Sequence, residues 1–176
     1  MSCFPVTIRQ SGSSITIGEA GDTAAGIFVN TPAFLVAQSG NQTISNATNT
    51  NLTFATTHLD TDSAFTSNER FTVPTGKAGL YMFFLTLQGN GNFGGSGGSS
   101  TICRFDSGGN KYSSGGGTAD GSLNYSISST QSYNHTTALN MAVGDYVIAS
   151  VYQASGSSQT TYAPRTFFGG YRLIGT

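Results

Sequence analysis

One run of ten residues limits the fold more than any other feature of the chain: Gly79–Gln88 reads GLYMFFLTLQ. Successive side chains of a β-strand point to opposite faces, so a strand here has two apolar sets: Tyr81, Phe83 and Leu85, and Leu80, Met82 and Phe84. A strand of an antiparallel sandwich normally buries only one face. The second face therefore needs a cover, which we interpret as a partner subunit. The alternative is a second layer from the same chain.

The rest of the chain also reads as strands rather than helices. No window of useful length has apolar residues at helical spacing, and β-rich runs alternate with Gly, Asn, Ser and Asp. Pro74-Thr75-Gly76 is typical of a turn, in which Pro sets φ and Gly accepts a positive φ. We predict an all-β sandwich or jelly roll of about ten strands. The predicted strands are Thr7–Gln10, Ile15–Gly18, Ala33–Gln38, Gln42–Ile44, Asn51–Ala55, Glu69–Val73, Gly79–Gln88, Thr101–Asp106, Tyr125–Ser129, His135–Met141, Asp145–Gln153 and Thr166–Ile174.

The strand pattern divides the chain into an N-terminal segment, residues 1–30, and a main domain, residues 31–176. A hairpin with a Ser-Gly-Ser-Ser turn is predicted in the first segment, so we expect an arm or an edge hairpin there. Residues 89–121 are rich in Gly, and we expect them to form exposed loops on either side of the strand predicted at Thr101–Asp106. Phe93 and Tyr112 lie in these loops and are candidates for an exposed binding contact.

Charge argues against some classes of function. The chain has 7 basic and 8 acidic residues, and 9% of its residues are charged, against about 25% in an ordinary domain. Nucleic-acid binding needs a basic surface that neutralises phosphates, so we predict no nucleic-acid partner. The N-terminal MSCFPVTIRQ has no basic segment followed by a long apolar run. We therefore expect synthesis in the cytoplasm, with neither a secretory signal nor a membrane-spanning helix.

Cysteines and carboxylates give little sign of a metal site or a disulfide. Cys3 and Cys103 are far apart in the sequence, which favours two unpaired thiols. The nearest candidates for calcium ligands are Asp60, Asp62 and Glu69, which we interpret as part of a solvated loop. We therefore predict no metal and no cofactor.

The two histidines, His58 and His135, do not lie in a recognisable nucleophile motif. The acidic residues fall mostly in turn-like contexts. A catalytic triad is defined by its geometry rather than by its sequence. These patterns nevertheless favour a protein that is not an enzyme.

Four segments resemble the C1q family, named for the globular heads of complement and related to the tumour necrosis factor (TNF) fold. Residues 32–37 read PAFLVA, residues 71–83 read FTVPTGKAGLYMF, residues 139–147 read LNMAVGDYV and residues 168–173 read FGGYRL. Their order and spacing resemble the family's across residues 32–175. The resemblance implies a ten-stranded antiparallel jelly-roll sandwich that assembles as a homotrimer. No collagen-like repeat precedes the domain, in contrast to complement-type members.

The resemblance also indicates which residues form the core and the trimer interface. Tyr81 and Phe83 would fill the sandwich, while Phe167, Phe168 and Tyr171 would lie along the threefold axis. The residues assigned to the trimer interface or the core are Leu80, Tyr81, Met82, Phe83, Phe84, Phe167, Phe168 and Tyr171.

A low-charge trimeric jelly roll with a short N-terminal arm suits a virus or phage particle, since trimers match local threefold axes. The first hypothesis is a capsid decoration protein of the virion whose residues 1–30 bind the major capsid or tail protein by strand addition. A second is the receptor-binding tip of a phage fibre or tail, which contacts the host through Gly-rich loops. A third is a secreted C1q-like pattern-recognition or lectin-like protein that binds surface glycans. The sequence leaves these alternatives open.

Overall fold

The computed structural model describes residues 7–10, 13–16, 32–90, 98–114, 118–119, 123–125 and 132–175. The chain forms two compact units, Met1–Thr31 and Pro32–Thr176. Apart from a single 3-10 turn at Ala163–Arg165, the elements in the described ranges are β-strands. No helix among these residues is long and apolar enough to cross a membrane.

The N-terminal unit contains a β-hairpin of strands β1 (Thr7–Gln10) and β2 (Ser13–Thr16). The strands are antiparallel, and their register places Ile8 opposite Ile15. Gln10 pairs with Ser13, so two residues separate the strands instead of the predicted four. The second strand therefore begins at Ser13, two residues earlier than expected.

The larger unit contains all remaining strands. In chain order they are β3 (Ala33–Ala37), β4 (Thr43–Ile44), β5 (Thr50–Asn51), β6 (Thr56–Asp60), β7 (Phe65–Thr66), β8 (Arg70–Thr72), β9 (Gly79–Gln88), β10 (Gly98–Phe105), β11 (Ser113–Ser114), β12 (Thr118–Ala119), β13 (Leu123–Tyr125), β14 (Ser132–Met141), β15 (Tyr146–Gln153), β16 (Gln159–Thr160) and β17 (Phe167–Gly175). Several strands are only two residues long, so the expected count of ten is not confirmed.

Two antiparallel sheets form the body of this unit. The five-stranded sheet has the order β14-β9-β17-β3-β6. The six-stranded sheet has the order β13-β10-β15-β8-β7, with β5 also paired to β15. Apart from β7 and β8, neighbours in each sheet are not consecutive strands of the chain, so the chain crosses repeatedly between the layers. The expected all-β, antiparallel architecture is confirmed.

Aromatic side chains fill the space between the two sheets. Phe34 stacks on Phe71 with ring centroids 4.7 Å apart, and it meets Phe168 edge-on at 5.1 Å. The Tyr81 ring is fully buried, while its hydroxyl donates a hydrogen bond of 2.6 Å to the carbonyl of Lys77. Such edge-on and stacked contacts add to the burial of large apolar rings, so the core is both apolar and closely packed.

A second buried region is polar and lies beyond the ends of β3 and β15. Gln153 is fully buried; its Nε2 donates to the carbonyl of Ile44 at 3.0 Å and its Oε1 accepts from the backbone N–H of Ser155 at 2.9 Å. The hydroxyl of Thr161 donates to Oε1 of Gln38 at 2.5 Å. Buried polar groups need such partners, so these glutamines tie the connecting loops to the strand ends.

The longest predicted strands agree with the structure and one short one does not. Gly79–Gln88 has its predicted bounds. The strand predicted at Asn51–Ala55 is wrong, since β5 ends at Asn51 and β6 begins at Thr56. Between them, the backbone N–H of Leu52 bonds to Ala149 and that of Phe54 bonds to Asn68. This segment crosses from one sheet to the other, burying both apolar side chains on the way.

The strand predicted at Tyr125–Ser129 overlaps the structure at a single residue. β13 covers Leu123–Tyr125, and residues 126–130 lie outside the described part of the chain.

Candidate functional site

Strand β9 lies in the middle of the five-stranded sheet and has two different faces. Tyr81, Phe83 and Leu85 point between the sheets and are at most 1% exposed. Leu80, Met82 and Phe84 point to the opposite side and remain partly exposed. We call that side, which is turned away from the six-stranded sheet, the outer face. The second layer of the same chain thus covers only one of the two apolar sets.

Neighbouring strands extend the apolar outer face. Residues directly opposite each other in an antiparallel pair share a face, and Met82 lies opposite both Ala138 of β14 and Tyr171 of β17. Leu80 likewise lies opposite Ile174. Tyr171 is 43% exposed and Ile174 is 62% exposed. The apolar surface therefore spans the three strands β14, β9 and β17.

The same surface continues across β3 to the sheet edge. Phe84 lies opposite Gly169, Gly169 opposite Leu35, and Leu35 opposite Leu59 of β6. Leu59 is 47% exposed. Leu59, Tyr171 and Ile174 account for three of the five exposed large hydrophobic residues in the described part of the chain.

Two adjacent glycines on β17 leave space for the phenylalanine rings of β9. A Cβ at Gly169 would overlap Cζ of Phe84 on the outer face. A Cβ at Gly170 would lie 2.5 Å from Cδ1 of Phe83 on the inner face. These glycines are required for space, because any larger residue would push a ring out of place.

Strand alternation separates the three aromatic residues assigned to the threefold axis. Phe167 lies opposite Thr86 and is partly exposed on the outer face, as Tyr171 is. Phe168 is fully buried between the sheets. The structure therefore brings Phe167 and Tyr171 to one surface and places Phe168 in the core. The sequence alone did not indicate Leu59, Gly169 or Ile174, because cross-strand register decides their positions.

Tyr112, the loop candidate that lies within the described residues, packs against an arginine. The guanidinium carbon of Arg104 lies 3.7 Å from the ring centroid of Tyr112, which is half-buried. Arg104 also forms an ion pair of 2.6 Å with the buried carboxylate of Asp145. Tyr112 is therefore packed onto its own subunit. Phe93 lies outside the described residues.

The acidic candidates are engaged in the local backbone. The carboxylate of Asp60 accepts the backbone N–H groups of Ala64 and Phe65 at 2.9 and 3.0 Å. Asp62 accepts the hydroxyl of Thr61 at 2.7 Å. Within the described ranges, no group of three His, Cys, Asp or Glu residues is placed to hold a metal ion. These carboxylates therefore hold the turn between β6 and β7.

The remaining titratable candidates are dispersed. Cys103 is a free, buried thiol whose Sγ lies 3.6 Å from Oγ of Ser150, while Cys3 is outside the described residues. His58 is exposed on β6, with its ring centroid 6.5 Å from that of Phe167. His135 is 2% exposed on β14, and burial lowers the pKa of its imidazole. The two histidines therefore lie in different environments, one at the surface and one inside.

Comparisons with known proteins identify the fold. No protein-family model and no curated protein matches the sequence. The globular domain of the zebrafish complement 1qA protein is similar in structure, with a TM-score of 0.56 at 17% identity, over 82% of this chain and 99% of that one. Structures of murine APRIL at pH 5.0 and pH 8.5 have TM-scores of 0.56 and 0.58 at 11% identity, over 82% of this chain and 100% of theirs. The chain therefore has a C1q/TNF-like jelly-roll fold.

Proposed function

We propose that this C1q/TNF-like jelly-roll chain is a non-enzymatic homotrimer on the surface of a virus particle, where it decorates the capsid. The observation that carries the proposal is the outer face of the five-stranded sheet, which is apolar and left partly uncovered by its own subunit. Extended apolar patches on soluble proteins mark interaction surfaces. Closed symmetric assemblies use the same patch on every subunit, so further copies of this chain are its natural cover.

The composition of the outer face supports this assignment. The buried centres of protein interfaces are enriched in aromatic residues and methionine and depleted in charged ones. The positions of β9 on this face are Leu80, Met82, Phe84 and Thr86, and none is charged. A face of this kind loses its contact with water when subunits associate, and no buried charge opposes the association.

The N-terminal segment is the proposed link to the particle. Strands β1 and β2 form a two-stranded sheet of their own, and an isolated two-stranded hairpin is only marginally stable in water. Addition to the sheet of another protein satisfies more of its backbone groups. We propose that residues 1–30 bind the major capsid or tail protein in this way and that the protein resides in the virion.

The alternative roles differ in the surface that they use. A receptor-binding tip would contact the host through the Gly-rich loops, and a lectin-like protein would bind surface glycans there. Both roles benefit from an exposed aromatic contact, but Tyr112 is stacked against Arg104. This packing favours decoration over the two alternatives.

The solution mass of the protein tests the assembly. We expect light scattering to give three times the mass of the 18.2 kDa chain, both for the full chain and for a variant that lacks residues 1–30. A monomer in both cases would refute the assembly. A trimer only for the full chain would place the contacts in residues 1–30 instead of the outer face.

Binding to particles tests the anchor. Purified virus particles that lack this protein should bind the full-length trimer and not the shortened one. Equal binding of both would exclude residues 1–30 as the anchor. Binding of either to host-cell glycans, with no binding to particles, would support the lectin-like alternative.

A further inference from the structure

His135 lies in the core at the edge of the five-stranded sheet. It is on β14, whose one partner among the described strands of that sheet is β9, and the register places it opposite Leu85. The side chain is 2% exposed, and Nδ1 has no hydrogen-bond partner among the described residues. A buried imidazole without a partner at one nitrogen is tolerated only while it is neutral.

The described strands around His135 carry no acidic side chain on their inner faces. Among these strands are β14 itself, β9 beside it, and β10 of the other sheet, which approaches β14 within 8 Å between Cα atoms. Their inner faces carry three other titratable side chains, which are Tyr81 on β9, Arg104 on β10 and Tyr133 on β14. Arg104 is paired with Asp145. Burial raises the pKa of both tyrosines above 10, so both stay neutral in mild acid.

The position of β14 determines how the molecule can respond. His135 is the fourth residue of the strand, and the residues that precede it in β14 are Ser132, Tyr133 and Asn134. An edge strand has hydrogen-bonded neighbours on one side only, and local opening begins where few contacts must break. Separation of this short segment from β9 would expose the imidazole to water without unfolding the sandwich.

We propose that His135 makes the start of β14 an acid-sensitive latch: in mild acid its protonation releases residues 132–135 from β9 while the rest of the sandwich stays folded. Burial lowers the pKa of His135 below its ordinary value of 6.5. The unfolded or opened form therefore binds a proton first as the pH falls. Closure is fully stable above about pH 6.5 and weakens as the pH falls toward the lowered pKa. This inference does not depend on the proposed virion role.

The chain offers a matched control because it has only 2 histidines. We expect the thermal midpoint of the wild type to fall by about 4 °C between pH 7.5 and pH 5.5. His135→Phe should remove most of this fall, whereas His58→Gln, at an exposed site, should keep it. A fall that persists in His135→Phe would overturn the proposal.

Hydrogen exchange of the wild-type protein provides a second test, which stands even if His135→Phe does not fold. At pH 5.5, the protection of residues 132–135 against exchange should drop by about tenfold relative to pH 7.5, after correction for the intrinsic rate. The amides of Gly79–Phe83, at the other end of β9, should keep their protection. A uniform loss over the whole domain, or no loss at residues 132–135, would contradict a local latch.

Discussion

The two faces of the five-stranded sheet are made by alternate residues of the same strands, but the chain fully covers only the inner face. On the inner face Phe83 is fully buried against the second sheet. Its neighbour Phe84 faces outward and is only partly covered. Both faces are apolar, so hydrophobicity alone does not distinguish core from surface. An apolar face that its own chain leaves partly uncovered is therefore a surface for association.

The largest expected effect comes from an inner-face truncation. Phe83→Ala should lower the free energy of unfolding by about 3–5 kcal/mol, because it removes a fully buried ring and leaves a cavity. The matched outer variant Phe84→Ala should cost about 1 kcal/mol in the folding of the subunit. Urea denaturation at one protein concentration measures both. Equal losses of unfolding free energy in the two variants would remove the distinction between the faces.

The glycine pair gives the next largest effect. Gly170→Ala should cost about 1–3 kcal/mol, since the new methyl group displaces a ring that is closed in on every side. Gly169→Ala meets the carbonyl oxygen of Phe34 at 2.9 Å and the end of the Phe84 ring, which is only partly buried. We expect a smaller loss of folding stability there and a weaker assembly, measured by denaturation and light scattering. A larger folding loss for Gly169→Ala would mean that Phe84 is also confined.

The Tyr81 hydroxyl produces a smaller effect that depends on pH. Tyr81→Phe removes the hydrogen bond to Lys77 and should cost about 1 kcal/mol at pH 7. Burial raises the pKa of Tyr81 to about 12, so the unfolded chain loses this proton first. The wild type is thus fully stable below pH 10 and loses stability as the pH rises toward 12. The unfolding free energies of the wild type and of Tyr81→Phe, measured by denaturation, should therefore converge above pH 10. A difference between them that stays constant with pH would indicate that Tyr81 ionises normally.

The smallest effect on folding should accompany a large effect on assembly. Met82→Glu places a charge at the centre of the outer face and should change the stability of the subunit by about 0.5 kcal/mol. The same charge would be buried in the trimer, so the solution mass should fall to that of one chain. Ser158→Glu, at an exposed position away from this face, should remain a trimer. A trimeric Met82→Glu protein would exclude the outer face as the interface.

Much of the fold was predictable because strong local patterns coincide with long strands. Gly79–Gln88 has apolar side chains at almost every position, and it forms β9 with those bounds. The signal weakens where a segment changes partners, as it does between β5 and β6. There, Leu52 and Phe54 are apolar and alternate, but their N–H groups bond to Ala149 of β15 and to Asn68 in the turn between β7 and β8. Alternation indicates which side chains are buried, but it does not indicate which residues accept the hydrogen bonds of the backbone N–H groups.

The buried glutamines could not be recognised from sequence. Gln38, Gln88 and Gln153 are at most 6% exposed, although glutamine is usually a surface residue. Gln38 and Gln153 are bonded to residues more than a hundred positions away, Thr161 and Ile44, and the side chain of Gln88 accepts from the hydroxyl of Ser132. No local pattern reports such a partner.

The sequence by itself determined the class of the fold and the existence of a second apolar face. Both follow from short-range alternation, because the side chains of a strand divide between its two sides whatever the strand packs against. Only the tertiary structure decided which set is buried, since burial depends on where the other sheet lies. It also separated Phe168 from Phe167 and Tyr171, and it placed His135 in the core and His58 at the surface. These outcomes rest on register and layer packing, which join residues that are far apart in the chain.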